Sequence, residues 1–258
     1  MLETYIRNRQ KKKDLLLMTH IVMGYPSFDA CHDMIDQMVA AGVDLMELQI
    51  PFSEPMADGP VILRANQKAL ENGATVAECM AFAKDMAARY PIPFLFMTYA
   101  NIPFRFGMER FAKATADMGL HGAIVPDLPI EESADYLQAM KRHGIAPIQM
   151  FSPLTPDGRM AKIATVSSGF IYCLARKGVT GADTQFSDDL TAYLARCRRA
   201  SSVPIAVGFG IKDKVDMMYL QEKADIAVIG SQTIRVMEEH GVNAVREFIQ
   251  GLLSKPIF

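Results

Sequence analysis

Two short apolar runs, VPIAVGFGI (203–211) and ADIAVIGS (224–231), each end on glycine where a strand would hand over to a helix. Runs of this length, rich in Val and Ile, are strand signals. Glycine at the handover lets the chain turn tightly or lets its backbone approach a ligand. Either cluster alone is more often a tight turn. Together they occupy the usual phosphate site of an α/β barrel, the Gly-rich turn after strand seven and the helix N-terminus after strand eight. Gly208, Phe209, Gly210, Gly230 and Ser231 are therefore read as a phosphate cradle.

That reading requires six earlier strands, and six signals precede the pair. They are Leu15–Val22, Asp44–Ile50, Pro93–Thr98, Gly122–Val125, Ile145–Met150 and Gly169–Leu174, with Val203–Val207 and Asp225–Ile229 as the last two. A helical pattern follows each: Phe28–Ala41, Val61–Tyr90 with a break at Gly73, Gly107–Met118, Ile130–Arg142, Asp157–Ala164, Asp188–Ala200, Asp213–Leu220 and Ser231–Leu253. Eight alternations in 258 residues predict an α/β fold of parallel strands. The expectation is one (β/α)8 TIM barrel over residues 1–258, with catalytic βα loops, rather than an open doubly wound sheet. Met1–Asp14, with Arg7, Arg9, Lys11, Lys12 and Lys13, is read as a solvated N-terminal helical extension without a function.

With 27 basic and 29 acidic residues and a net charge of -2, the chain has no broad field to draw it to nucleic acid or an anionic membrane. No apolar run approaches membrane-spanning length and the polar start lacks a signal-peptide core, so a cytoplasmic location is expected. Cys31, Cys79, Cys173 and Cys197 show no C-x-x-C spacing and imply neither a zinc site nor a disulfide framework. The 18 methionines are read as core filler.

Alternate residues of a barrel strand face the interior and the outer helices, and active sites gather where strands end. In the second strand Met46, Leu48 and Ile50 suit the helix side, which turns Leu45, Glu47 and Gln49 inward. A buried structural carboxylate normally has an Arg or Lys partner, and no basic residue is read in the strand runs to serve Glu47. Burial without a partner is how a carboxyl is tuned for acid/base work, so Glu47 is read as functional. Asp58, in the ten-residue loop Pro51–Pro60, is from spacing alone either a turn residue or a catalyst. The same alternation turns His20, Tyr99, Asp127 and Tyr172 toward the mouth. Arg176–Gly181 begins a long segment reaching Phe186, either a solvated loop or a lid over a phosphorylated substrate.

Chemistry narrows by elimination. The strands supply no lysine for a Schiff base. His32, His121, His143 and His240 fall outside the interior, which leaves His20 alone and no metal set. No G-x-G-x-x-G follows the first strand, so a nicotinamide cofactor lacks its usual support. Acid/base work by carboxylates on a phosphorylated substrate with its own electron sink remains.

The blocks ELQIPFSEPMADGP (47–60), Tyr99-Ala100-Asn101, PDLPIEES (126–133), RKGVTG (176–181) and GFGI (208–211) resemble the alpha subunit of tryptophan synthase, over essentially the whole chain. The resemblance implies a lyase of tryptophan biosynthesis that cleaves indole-3-glycerol phosphate to indole and glyceraldehyde 3-phosphate by a retro-aldol reaction. Protonation at indole C3 makes the ring nitrogen the electron sink that a lysine would otherwise provide. It further implies that Glu47 moves the protons, Asp58 holds the indole N–H, and Tyr172 positions the reacting end. Met97 and Tyr99 would line the indole pocket beside Leu128. Gly181, Phe209, Gly210, Gly230 and Ser231 would hold the phosphate, with Arg176 nearby, and Asp127 and Thr180 would latch the lid. No cofactor is implied in this chain. Pyridoxal phosphate is expected in a partner beta subunit, joined in an alpha-beta-beta-alpha heterotetramer through Glu54–Asp58 and the surroundings of Asn101 and Pro129.

The chain departs from this family pattern at His20, where an aromatic Phe is common, at Gln49, where Gly is usual, and at Glu54, where Asp is usual. Gln49 is expected to face the pocket and hydrogen-bond near Glu47 or His20. Three other readings stay open at this stage. They are a self-sufficient lyase releasing free indole, a non-catalytic subunit that activates a beta partner, and another phosphate-binding barrel such as a sugar-phosphate isomerase.

Overall fold

Along the first strand Leu16, Met18 and His20 point one way and Leu17, Thr19 and Ile21 the other, and this alternation of period two recurs around the sheet. The computed structural model describes residues 1–175, 188–208 and 210–254. Its strands are β1 (Leu16–Val22), β2 (Leu45–Gln49), β3 (Phe94–Met97), β4 (Gly122–Ile124), β5 (Ala146–Phe151), β6 (Ile171–Leu174), β7 (Ile205–Gly208) and β8 (Ile226–Ile229). They pair in parallel in chain order, and β8 closes on β1 through Leu16 beside Ile226 and Met18 beside Val228. The fold is thus the TIM barrel that the alternation predicts.

The helices are α1 (Leu2–Gln10), α2 (Phe28–Ala40), α3 (Pro60–Glu71), α4 (Val76–Arg89), α5 (Asn101–Phe106), α6 (Met108–Asp117), α7 (Ala134–Arg142), α8 (Asp157–Val166), α9 (Asp188–Ala200), α10 (Lys214–Leu220), α11 (Ser231–His240) and α12 (Val242–Leu253). The expected break at Gly73 separates α3 from α4, where the Thr75 and Glu78 capping box restarts the helix. The run expected as one helix over 231–253 is two, because Gly241 sits at φ 83°, a left-handed conformation that interrupts helical geometry. Helix α5 was not legible: it is one short turn and a half with Pro103 inside it, too brief to show a period.

Two apolar layers result. Leu16, Met18, Leu45, Leu95, Ile148, Phe170 and Ile226 fill the interior, while Leu17, Met46, Leu48, Phe96, Ile171 and Val207 pack outward under the helices. Among the described residues no helix is long and apolar enough to cross a membrane. The four cysteines are buried free thiols.

The N-terminal segment differs from the solvated extension expected of it. Leu2 and Ile6 are buried and join the interior cluster, so α1 covers one end of the barrel. A Cβ at Gly169, just before β6, would stand 2.9 Å from the Leu2 side chain, which shows how closely the helix is seated. Its basic residues are put to structural use. Arg9 Nη2 donates to Asp44 Oδ1 at 2.6 Å, Lys13 also pairs with Asp44, and the Leu17 amide donates to Asp44 Oδ2 at 2.9 Å. Asp225, before β8, accepts from Gln10 at 2.6 Å and from the Ile205 amide at 2.7 Å. Both carboxylates fix strand beginnings to α1, at the end opposite the catalytic loops. Asp44→Ala should lower unfolding free energy by about 3 kcal/mol, because the buried Leu17 amide and two cations lose their acceptor. A denaturant melt checks it, and a loss under about 0.5 kcal/mol would reduce the cluster to a surface ion pair.

Candidate active site

Strand β2 delivers Glu47 to the mouth because its neighbours Met46 and Leu48 belong to the outer layer. His20 is its register partner on β1. His20 Nδ1 lies 2.9 Å from Glu47 Oε2, with both side chains buried. The sequence reading left Glu47 without a basic partner, and the imidazole supplies one. Burial disfavours the imidazolium, but the Glu47 hydrogen bond and charge, followed by the charge of Asp58 and the nearby Gln49 amide, outweigh it and raise the His20 pKa.

The second carboxylate reaches the same space from the β2–α3 loop. Asp58 Oδ2 accepts from Gln49 Nε2 at 2.7 Å and from the Tyr99 hydroxyl at 2.9 Å. Gln49 faces the mouth as expected and reaches His20 as well as Asp58, though not Glu47, and its amide nitrogen also lies 3.4 Å from Asn66 Oδ1. Asn66 in turn accepts from the Phe52 amide at 2.9 Å, so α3 fixes the start of the loop. Tyr99 completes the clamp by accepting from the Ala57 amide at 3.1 Å and stacking on Phe52, with ring centroids 5.2 Å apart. Desolvation raises the Asp58 pKa, opposed by the His20 charge and then by the Gln49 and Tyr99 hydrogen bonds. Tyr172 on β6 is pushed well above the usual phenol range, by burial and then by the Glu47 and Asp58 charges, and so stays protonated.

His20, Glu47, Asp58, Met97, Tyr172, Gly210, Gly230 and Ser231 line one cavity of about 160 Å³. Gly210, at φ 87°, takes a conformation that side chains disfavour. Ser231 opens α11, and the first amides of a helix carry the end of its dipole that favours negative charge. Gly208 has another reason to be glycine: a Cβ there would collide with the Tyr172 ring and hydroxyl. Two cations that the sequence reading passed over, Lys212 and Arg235, also line this cavity. Arg235 had a signal, since it lies four residues after Ser231 on one helix and so on the same face.

Other expected site residues sit elsewhere. Tyr99 is fully buried behind Asp58. Asp127 and Leu128 line a neighbouring hollow, which shares Ala57, Pro126 and Met150 with the first. Asp127 accepts from the Ala100 amide at 2.8 Å and so anchors the entry to α5. Arg176, Thr180, Gly181 and Phe209 lie outside the described residues. Among the described residues the side chains nearest to a metal set are His32, Asp33 and Asp36 on α2, away from the cavity lining.

A family profile described as tryptophan synthase alpha chain matches residues 6–253. This chain belongs to the tryptophan synthase alpha chain family. A tryptophan synthase alpha chain of Syntrophotalea carbinolica is 60% identical over 252 residues, covering 98% of this chain and 100% of its own. One from Desulforapulum autotrophicum is 58% identical with the same coverage, 98% and 100%. Among solved structures, tryptophan synthase of Mycobacterium tuberculosis superposes with a TM-score of 0.91 at 28% identity, over 97% of this chain and 96% of that one. A chain of the tryptophan synthase a2b2 complex of Pyrococcus furiosus, described for its mutual activation, gives 0.86 at 28% identity, over 92% and 97%.

Proposed function

We propose that the mouth of this alpha chain cleaves indole-3-glycerol phosphate with Glu47 as the proton-transfer group and Asp58 as the indole anchor. The reaction is that of the family, a lyase step of tryptophan biosynthesis giving indole and glyceraldehyde 3-phosphate. The observation that carries the assignment is the sharing of one cavity by Glu47, Asp58, Gly210, Gly230 and Ser231. The phosphate docks on Gly210, Gly230 and Ser231, with Lys212 and Arg235 adding positive charge. Gly181 and Phe209 belong to the same proposed cradle, and Arg176 and Thr180 to the lid over it, with Thr180 latching on Asp127. Met97 packs against the indole ring and Tyr172 against the reacting carbon.

Glu47 gives a proton to indole C3 and takes one from the hydroxyl of the adjacent glyceryl carbon. As the carbon–carbon bond breaks, its electron pair returns to the ring, and the hydroxyl carbon becomes the aldehyde. Asp58 accepts the indole N–H throughout, which stabilises the positive charge on the ring nitrogen in the protonated intermediate. Every proton lost is replaced, so the chain needs no cofactor of its own, and the whole of it acts as one barrel domain.

The partner is a pyridoxal-phosphate beta subunit in an alpha-beta-beta-alpha assembly. Met56 after β2, Phe104 in α5 after β3 and Leu154 after β5 are large apolar side chains 69–72% exposed. They all stand in segments that follow the C-terminal ends of strands, where an interface would cover them. Indole release by the isolated chain should be slow and should rise at least about tenfold on adding a beta subunit. Full activity alone would make it a self-sufficient lyase, and no indole under either condition would sink the lyase reading.

A further inference from the structure

His20 and Glu47 are adjacent in register on β1 and β2. Their side chains, 7% and 4% exposed, meet at 2.9 Å and line the mouth cavity. Each also keeps a second buried polar atom, Nε2 of His20 and Oε1 of Glu47, without a protein partner. A histidine placed for packing satisfies both nitrogens, because an unmet polar atom in a dry site is costly. Two open atoms in one cavity suit groups that work on a ligand. Two ionisable groups this close also bind protons as a unit.

We propose that His20 and Glu47 form a two-membered acid/base unit, in which His20 orients the carboxyl and stores the proton that Glu47 exchanges with substrate. The inference deepens the lyase reading and rests on it. Before reaction the unit holds one exchangeable proton, carried on the imidazole. The proton crosses from Nδ1 to Oε2, the carboxyl group turns about its Cγ–Cδ bond, and the protonated oxygen delivers the proton to indole C3. The carboxylate then takes the hydroxyl proton on the oxygen that faces the substrate, the carbon–carbon bond breaks, and the reverse turn of the carboxyl returns that proton to Nδ1 of the neutral imidazole. No oxidant or added base is consumed. Asp58 from the β2–α3 loop and Tyr172 from β6 face the pair, with Lys212 and Arg235 on the same cavity wall. The Asp58 charge helps His20 keep its proton.

The test compares wild type, His20→Asn and Glu47→Gln with the beta subunit present. Asn keeps a hydrogen-bond donor toward Glu47 but cannot titrate. In His20→Asn, kcat should fall about 100-fold while KM stays within about threefold. The high-pH limb of kcat should move to lower pH by at least about one unit, because Glu47 then holds the proton alone. An unchanged limb and kcat in an active, folded variant overturns the unit and leaves the lyase reading standing. Failure of the wild type to form indole overturns both. Nitrogen-15 histidine NMR gives a readout independent of turnover. His20 should titrate above the ordinary value of about 6.5 in wild type and at a clearly lower pH in Glu47→Gln, where burial is no longer offset by the carboxylate. A His20 that is neutral in wild type at pH 6.5 and below it sinks the proposal even if His20→Asn does not fold.

Discussion

Glu47→Gln is expected to give a folded barrel whose indole release, with a beta subunit present, falls by at least about 1,000-fold. Gln has nearly the shape of Glu, and its carbonyl oxygen can still accept from His20 Nδ1, so the 2.9 Å contact survives. What disappears is the exchangeable proton. The β2 backbone should not notice, since Leu45 and the outward Met46 and Leu48 hold the strand by apolar packing. Removing one partner of a buried pair leaves the other uncompensated, but the imidazole can release its proton, which limits the loss of stability. A modestly lower thermal melt, with substrate binding retained and turnover lost, is the expected combination. Turnover within about tenfold of wild type would remove Glu47 from the chemistry, and a collapsed melt would recast it as structural.

The fold was legible because a barrel repeats its signal. Strand β2 shows why: period two sorts Leu45, Glu47 and Gln49 from Met46, Leu48 and Ile50, and the structure keeps that sorting. The placing of Gly210, Gly230 and Ser231 at the mouth was legible from their position in the strand series, although Gly208 is glycine for Tyr172. What could not be read were relations between strands. His20 and Glu47 are 27 residues apart, and only the β1–β2 register makes them partners. Both had been turned inward by alternation, so neighbouring strands at one height were the available signal. Gln49 shows the limit of such reasoning. Its direction follows from period two, whereas its choice of Asp58 depends on how Asn66 and Phe52 fold the loop back.

The same distinction explains α1. Its basic run has the look of a solvated arm, because composition reports charge and not the acids that charge will meet. Asp44 and Asp225 lie immediately before β2 and β8, where the strand starts cluster at one end of the barrel. Closure of the sheet brings them to the helix. Structural carboxylates thus occupy the N-terminal ends of strands and the proposed catalytic ones the C-terminal ends, which is the division of labour expected of this architecture.

Asp58→Asn should separate stability from activity most sharply. Gln49 Nε2 and the Tyr99 hydroxyl both donate to Oδ2, and the Asn carbonyl oxygen can replace that acceptor. The amide nitrogen then occupies the position of Oδ1, which has no partner among the described residues and is free to accept the indole N–H. Two donors would face each other there, so turnover should fall about 100-fold or more, with weakened binding of indole-bearing ligands. Stability should move the other way. The Asp58 pKa is raised in the folded chain, so the folded state binds this proton more tightly than the unfolded chain does. Stability is therefore greatest below the ordinary carboxyl range, declines as pH rises toward the raised folded value, and carries the full penalty above it. Asn never ionises and escapes that decline. The variant should melt above wild type at neutral pH, and the gap should narrow on acidification. A melt below wild type at neutral pH would mean that the Asp58 charge contributes more to the fold, through His20, than its burial costs.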